Sequence, residues 1–262
     1  MKIQYCSDLH LEFSENASWM KNNGLIPSGE VLLIAGDTFY LGQEFEEHPF
    51  FDFASDNYDM VYLIPGNHEY YGGFDAEICL EEDYRRKIRE NVILVNNGVE
   101  EYKGVKFVFS TLWSRIENEI GPILGGLIDF RLIKCGNKSL SVELYNRFFD
   151  VAWNFLNREV NKKRSIPTVV MTHHMPSELC SLEKYKGSKL NEAFYVDLTS
   201  FVEESGIDYW IYGHSHGNKE DFSIGNTKLI TNQLGYIGLN EHESFNRSKM
   251  FEVHPVFTDE NK

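Results

Sequence analysis

Five short apolar runs along the chain each stop abruptly at a polar or glycine-containing loop. Residues 2–6 lead into SDLH, 31–35 (VLLIA) into GDT, 60–64 (MVYLI) into PGNHE, 168–171 (TVVM) into THHMP, and 208–212 (DYWIY) into GHSH. Their length and their β-branched or aromatic content predict buried strands. Helical spacing predicts helices over 43–55, 76–90, 141–163 and 195–205. In the third, Leu144, Phe148, Val151, Trp153 and Phe155 supply the apolar face. Strand–helix alternation implies crossover connections and a largely parallel sheet arrangement. Two stretches predict hairpins instead, turning at Lys103-Gly104 and at Gly225-Asn226. Residues 118–136, which contain GPILGG, have no period and read as an excursion over one face. Residues 184–190 (KYKGSKL) read as an exposed basic patch, and 257–262 (FTDENK) as a frayed end. No repeat, linker or low-complexity tract interrupts the pattern, so residues 1–262 are expected to form a single α/β domain.

Composition adds exclusions. A hydrophobic share of 42% with 14% aromatic residues is ample for a core. The 25 Lys and Arg against 40 Asp and Glu leave a formal charge of −15. Such a surface repels nucleic-acid backbones and anionic membranes unless cations bind locally, so no nucleic-acid or membrane partner is expected. Cysteines 6, 79, 135 and 180 are too dispersed for a zinc knuckle or a disulfide framework. The first ten residues lack the apolar segment of a secretory leader, and no run approaches the ~20 apolar residues of a membrane helix. A reduced, cytoplasmic setting is the expectation.

The strand endings deliver metal-ligating types into the loops. Asp8 and His10 follow the first run, Asp37 the second, Asn67 and His68 the third, His173 and His174 the fourth, His214 and His216 the fifth. Six of the nine histidines lie in these loops, leaving His48, His242 and His254 elsewhere. Loops at the carboxyl ends of parallel strands converge on one edge, so five such loops can meet at one point. Carboxylates, imidazoles and one amide without thiolate suit Mn, Fe, Zn or Ni. Asp8 and His10, two apart on an extended chain, share a side and can bind one ion. His214 and His216 have the same spacing but can each serve a different ion. A carboxylate such as Asp37 can bridge two cations with one oxygen to each, and Gly36, Gly66, Gly213 and Gly217 leave the backbone room. Taken singly, Asp8, Asp37 and Asn67 would more often cap helices or make turns; their joint placement argues for metal.

In that order, DLH, GD, GNHE, THH and GHSH resemble the signature of the calcineurin-like metallophosphoesterase superfamily. The resemblance implies a four-layer αββα sandwich of two mixed sheets flanked by helices, and a centre of two divalent metal ions. One ion would take Asp8, His10, Asp37 and His216; the other Asp37, Asn67, His173 and His214. His173 is preferred over His174 because it leaves the strand first. His68 would stand beside the metals as an acid without binding them, and a water acidified by both ions would attack a small phosphorylated substrate. His68 and Asp37 are thus the catalytic candidates. Asn67, His68, Arg131 and His174 are the candidate substrate contacts, with Tyr70, Tyr71 and Trp113 as candidate cleft walls. Glu69 reads as a residue that orients a neighbour or caps a helix.

Ser/Thr protein phosphatases of the superfamily carry an arginine before GNHE and an Asp-Arg pair after GD. Here Pro65 and the stretch TFYLG stand in those places, which counts against a phosphoprotein phosphatase. A catalytically silent scaffold of the same fold should show decayed ligands, and all seven are present. Sequence specifies no oligomeric state.

Overall fold

The computed structural model describes residues 1–42 and 44–254. The stretch read as frayed, 257–262, lies outside the described residues, as does the first residue of the helix expected over 43–55. In chain order the elements begin β1 (Lys2–Cys6), α1 (Ser14–Asn23), β2 (Val31–Ile34), α2 (Pro49–Asn57), β3 (Met60–Leu63), β4 (Tyr84–Arg89), β5 (Val92–Asn96), β6 (Gly98–Tyr102) and β7 (Val105–Ser110). They continue with α3 (Ile120–Gly126), α4 (Asp129–Leu132), β8 (Lys134–Cys135), β9 (Lys138–Ser139), α5 (Val142–Val160), β10 (Thr168–Thr172), α6 (Thr199–Ser205), β11 (Tyr209–Ile211), β12 (Phe222–Ile224), β13 (Thr227–Ile230) and β14 (Met250–Glu252).

The strands make two mixed six-stranded sheets, ordered β14-β1-β2-β3-β5-β4 and β12-β13-β11-β10-β7-β6. Each has four parallel strands at its centre and an antiparallel strand at each edge. Period-two alternation builds the layers. On β2, Val31 and Leu33 join the core between the sheets, while Leu32 and Ile34 join the core under the helices. Tyr62 on β3 lies 5.2 Å from Phe109 on β7, ring centre to ring centre, and helps to join the two sheets. Helices flank the pair, which is the αββα arrangement.

All five expected strands are present, and both hairpins close where expected. Lys103 and Gly104 both have positive φ, +46° and +75°, as a tight hairpin turn requires. The long helix α5 starts at Ser141, whose Oγ accepts the Leu144 N–H at 3.2 Å. Its buried stripe runs through Tyr145, Phe148, Phe149, Ala152, Phe155 and Leu156, offset from the expected Leu144, Val151 and Trp153.

Several expectations need correction. Helix α2 begins at Pro49 rather than 43, because Pro49 opens it and the His48 ring accepts the Phe50 N–H at 3.2 Å. The helix read over 76–90 is a single turn at Ala76–Leu80 followed by edge strand β4. Pairing with β5 overrides the local spacing, and Arg86 and Arg89 reach Glu46 and Asp52 beside α2. Helix α1 gave no periodic signal because only Asn16 and Met20 on it are buried. Helix α6 starts at Thr199 rather than 195, since Tyr195 bridges to Met175 in extended form. The excursion 118–136 contains the short helices α3 and α4, and Lys184, Lys186 and Lys189 are exposed. Among the described residues no helix is long and apolar enough to cross a membrane.

Candidate metal centre

The loops after β1, β2, β3, β10 and β11 meet where the two sheets abut. Their backbones are unusual. Asp8, His10, Asp37, His214 and His216 have φ of +54°, +47°, +54°, +74° and +47°. Left-handed geometry costs about 1–2 kcal/mol for each residue with a side chain, so five such residues mark a deliberately shaped site. Asp8 and His10 do come together, though not as neighbours on an extended strand: β1 ends at Cys6 and both residues lie in left-handed turns. The turns are held by Asp8 N–H donating to Gly36 O (3.0 Å) and His10 N–H to Asp37 O (2.9 Å). A methyl group at Gly66 would fall on Asp37 Oδ1 and press on the His173 ring.

Two sets of donor atoms converge, Asp8, His10, Asp37 and His216 in one, Asp37, His173 and His214 in the other. Asp37 belongs to both. Its Oδ2 lies 3.7 Å from His10 Nε2 and 3.4 Å from His173 Nε2. The other oxygen, Oδ1, accepts the His68 backbone N–H at 2.9 Å. A single oxygen therefore faces both sets, where one oxygen to each was expected. Asn67 joins the second set through Oδ1, 3.2 Å from His173 Nε2.

Hydrogen bonding behind the ligands fixes which lone pairs point inward. His10 Nδ1 lies 3.0 Å from Glu12 Oε1 and His216 Nδ1 2.9 Å from Glu241 Oε2, so each ring donates its N–H outward. Their Nε2 atoms then carry lone pairs and face each other at 2.8 Å. His173 Nδ1 donates to Ala35 O at 2.8 Å, which turns its Nε2 toward His214 Nδ1, 3.1 Å away. Asn67 Nδ2 is turned away toward Tyr71 Oη (2.8 Å) and the Asp129 carboxylate, so its carbonyl oxygen points in. Facing lone pairs repel unless something positive lies between them. The donor set fits divalent cations, and the carboxylate–histidine pairs behind it are the usual support for such ligands.

Burial, the principal influence, holds His10 and His214 below the ordinary imidazole value, in the neutral form that binds metals. The Asp37 carboxylate raises His173 to about 9 against the effect of burial, with a proton that a bound cation would displace. Asp37 and Glu12 raise His68 to about 9 against the opposing effect of burial. His68 Nδ1 sits 2.9 Å from the same Glu12 oxygen that holds His10, and its Nε2 lies 3.3 Å from Tyr236 Oη. His68 thus adjoins the two donor sets, in a third group of His10, Glu12 and His68 joined through the Glu12 carboxylate.

A cleft of about 300 Å³ opens over the centre, lined by Asn67, His68, Tyr71, Asp129, Tyr185 and Tyr236 among others. Two of the candidate substrate contacts do not reach it. Arg131 is exposed on α4 and turns back to donate to Gly125 O at 3.3 Å. His174 is fully buried behind His214, ring centres 4.2 Å apart, with Nε2 3.3 Å from Tyr145 Oη. Of the candidate walls, Tyr71 lines the cleft while Tyr70 and Trp113 lie in the core. Glu12, Glu241 and Tyr236 also belong to the site, outside the five motifs. Glu12 had a signal, since it extends the Asp8–His10 spacing by two; Glu241 and Tyr236 come from a segment with no motif.

Two stacked mixed sheets that deliver buried carboxylates and imidazoles to one shared edge define a protein built to hold divalent cations. The chain belongs to the calcineurin-like phosphoesterases, whose family model matches residues 1–218. Uncharacterized protein L509 of Acanthamoeba polyphaga mimivirus is 29% identical over 98% of each chain. Purple acid phosphatase 7 of Arabidopsis thaliana is 23% identical over 66% of this chain and 48% of its own length. The crystal structure of phosphopantetheinyl hydrolase (PptH) from Mycobacterium tuberculosis has a TM-score of 0.67 at 15% identity, covering 97% of this chain and 96% of that one. That last likeness is one of fold.

Proposed function

We propose that the protein is a dinuclear metal-dependent phosphoesterase acting on a small phosphomonoester or phosphodiester. One ion would be held by Asp8, His10, Asp37 and His216, the other by Asp37, Asn67, His173 and His214. The observation that carries this reading is Asp37 Oδ2, which faces both donor sets at once. When bound, the cations supply positive charge that polarises the phosphoryl oxygens and acidifies a water.

The chain's own groups supply the rest. Asn67 is a neutral donor, held by Tyr71 and Asp129, and adds no negative charge to its ion. His68 holds a proton at the cleft mouth, and Glu12 fixes its ring by accepting from Nδ1. In this reading the Nε2 proton passes to the departing oxygen of the ester. Among the described residues no lysine or arginine lines the cleft, so a phosphoprotein phosphatase, which needs guanidinium contacts to a dianionic phosphate, is not favoured. A silent scaffold would not retain the whole donor set with its supporting carboxylates.

His68→Ala tests the assignment. The variant is expected to retain its metal content and to hydrolyse alkyl esters about a hundredfold more slowly, with a much smaller effect on p-nitrophenyl esters, whose leaving group needs no proton. Elemental analysis and the paired rates decide. Equal losses on both esters, or a variant stripped of metal, would remove His68 from this role.

A further inference from the structure

Apolar surface stands uncovered on both sides of His68. On one side the cleft is walled by Leu127, Ile128, Tyr185 and Phe194, and Ile128 is 50% exposed. On the other, Tyr236 is shared with a second hollow of about 510 Å³ lined by Phe13, Glu15, Gly238 and Leu239. The Phe13 ring centre stands 5.5 Å from that of Tyr236 and 6.3 Å from that of His68. Phe13 is 39% and Leu239 69% exposed. A single exposed apolar residue means little, but these adjoin the proposed reacting centre from two directions. Among the described residues neither compartment is lined by a lysine or arginine, and the carboxylates among the lining residues are Asp37, Asp129 and Glu241 in the cleft and Glu15 in the hollow.

Resting on the phosphoesterase reading, we infer that the substrate is a phosphodiester with apolar or aromatic groups on both ester oxygens. One arm lies against Leu127 and Ile128, the other over Tyr236, Phe13 and Leu239. Shape argues for a diester, because a monoester has a single organic arm and would leave one compartment empty. The second hollow is thus the subsite that sets specificity, and its residues touch substrate away from the reacting bond.

Three esters with one leaving group test this on the metal-loaded full chain: p-nitrophenyl phosphate, methyl p-nitrophenyl phosphate and phenyl p-nitrophenyl phosphate. In each, the oxygen of water joins phosphorus, the bond to p-nitrophenoxide breaks, and inorganic, methyl or phenyl phosphate remains. The expected order of kcat/KM is phenyl, methyl, monoester, with steps of about tenfold. Leu239→Ala alters an exposed side chain and should narrow the phenyl-to-methyl ratio. A monoester cleaved faster than either diester overturns the inference while the phosphoesterase reading stands. So does a phenyl diester no better than the methyl one. If protein carrying two ions hydrolyses none of the three, both readings fall.

Discussion

Asp37→Asn is expected to lower hydrolysis about a thousandfold and to reduce the number of tightly held ions from two to one or none. Asp37 Oδ2 is the oxygen that faces both His10 and His173, and Asp37 is common to both donor sets. An amide in its place presents at best a weaker, neutral oxygen, and its NH2 group would meet imidazole lone pairs or the His68 N–H. The effect should fall on both ions together, unlike the loss of His216 or His214, which each belong to one set. Steady-state rates with elemental analysis provide the check. Wild-type rate with normal metal content in Asp37→Asn would show that this carboxylate does not join the two sets.

Glu69→Ala is expected to destabilise the fold by about 4 kcal/mol, a fall in Tm on the order of 10 °C. Glu69 is fully buried. Its Oε2 accepts the N–H groups of Asp37 (3.0 Å) and Gly66 (2.7 Å), and its Oε1 accepts that of Thr38 (2.7 Å). One side chain thus ties the loop after β2 to the loop after β3. Removing it leaves three buried donors without partners, each costing about 1–3 kcal/mol. Glu69→Gln should fall between, because its amide keeps one acceptor oxygen and puts an N–H group against the remaining donors. Thermal denaturation of the three proteins measures the series, and a shift of only a degree or two for Glu69→Ala would show that the clamp carries little.

The same residues show how far the sequence could be read. Each motif is local, and a strand ending in a metal-ligating type can be seen within a few positions, so Asp8, His10, Asp37, Asn67, His173, His214 and His216 could be picked out. The parallel centres of the sheets follow from the same alternation. What brings the ligands together is not local. The left-handed φ at Asp8 and His214 are imposed by contacts such as His214 N–H to Asp8 Oδ1, 3.0 Å apart in space and 206 residues apart in the chain. Glu12 and Glu241 are two among 40 acidic residues, and only the fold singles them out as the partners of His10 and His216. Arg131 and His174 failed as substrate contacts for a related reason: proximity in sequence to a site residue says nothing about which way a side chain turns. Edge strand β4 was hidden because its partner β5 decides its conformation more than its own spacing does.

If the five turns form one cage for two cations, the metal content of the folded chain must show it. Folded protein loaded with Mn²⁺ and freed of excess metal is predicted to hold two ions per chain. Removing them with a chelator should abolish phosphoester hydrolysis, and returning Mn²⁺ should restore it. Full hydrolysis by folded protein shown to carry no metal, or no more than one ion per chain at full activity, would rule out a two-cation cage.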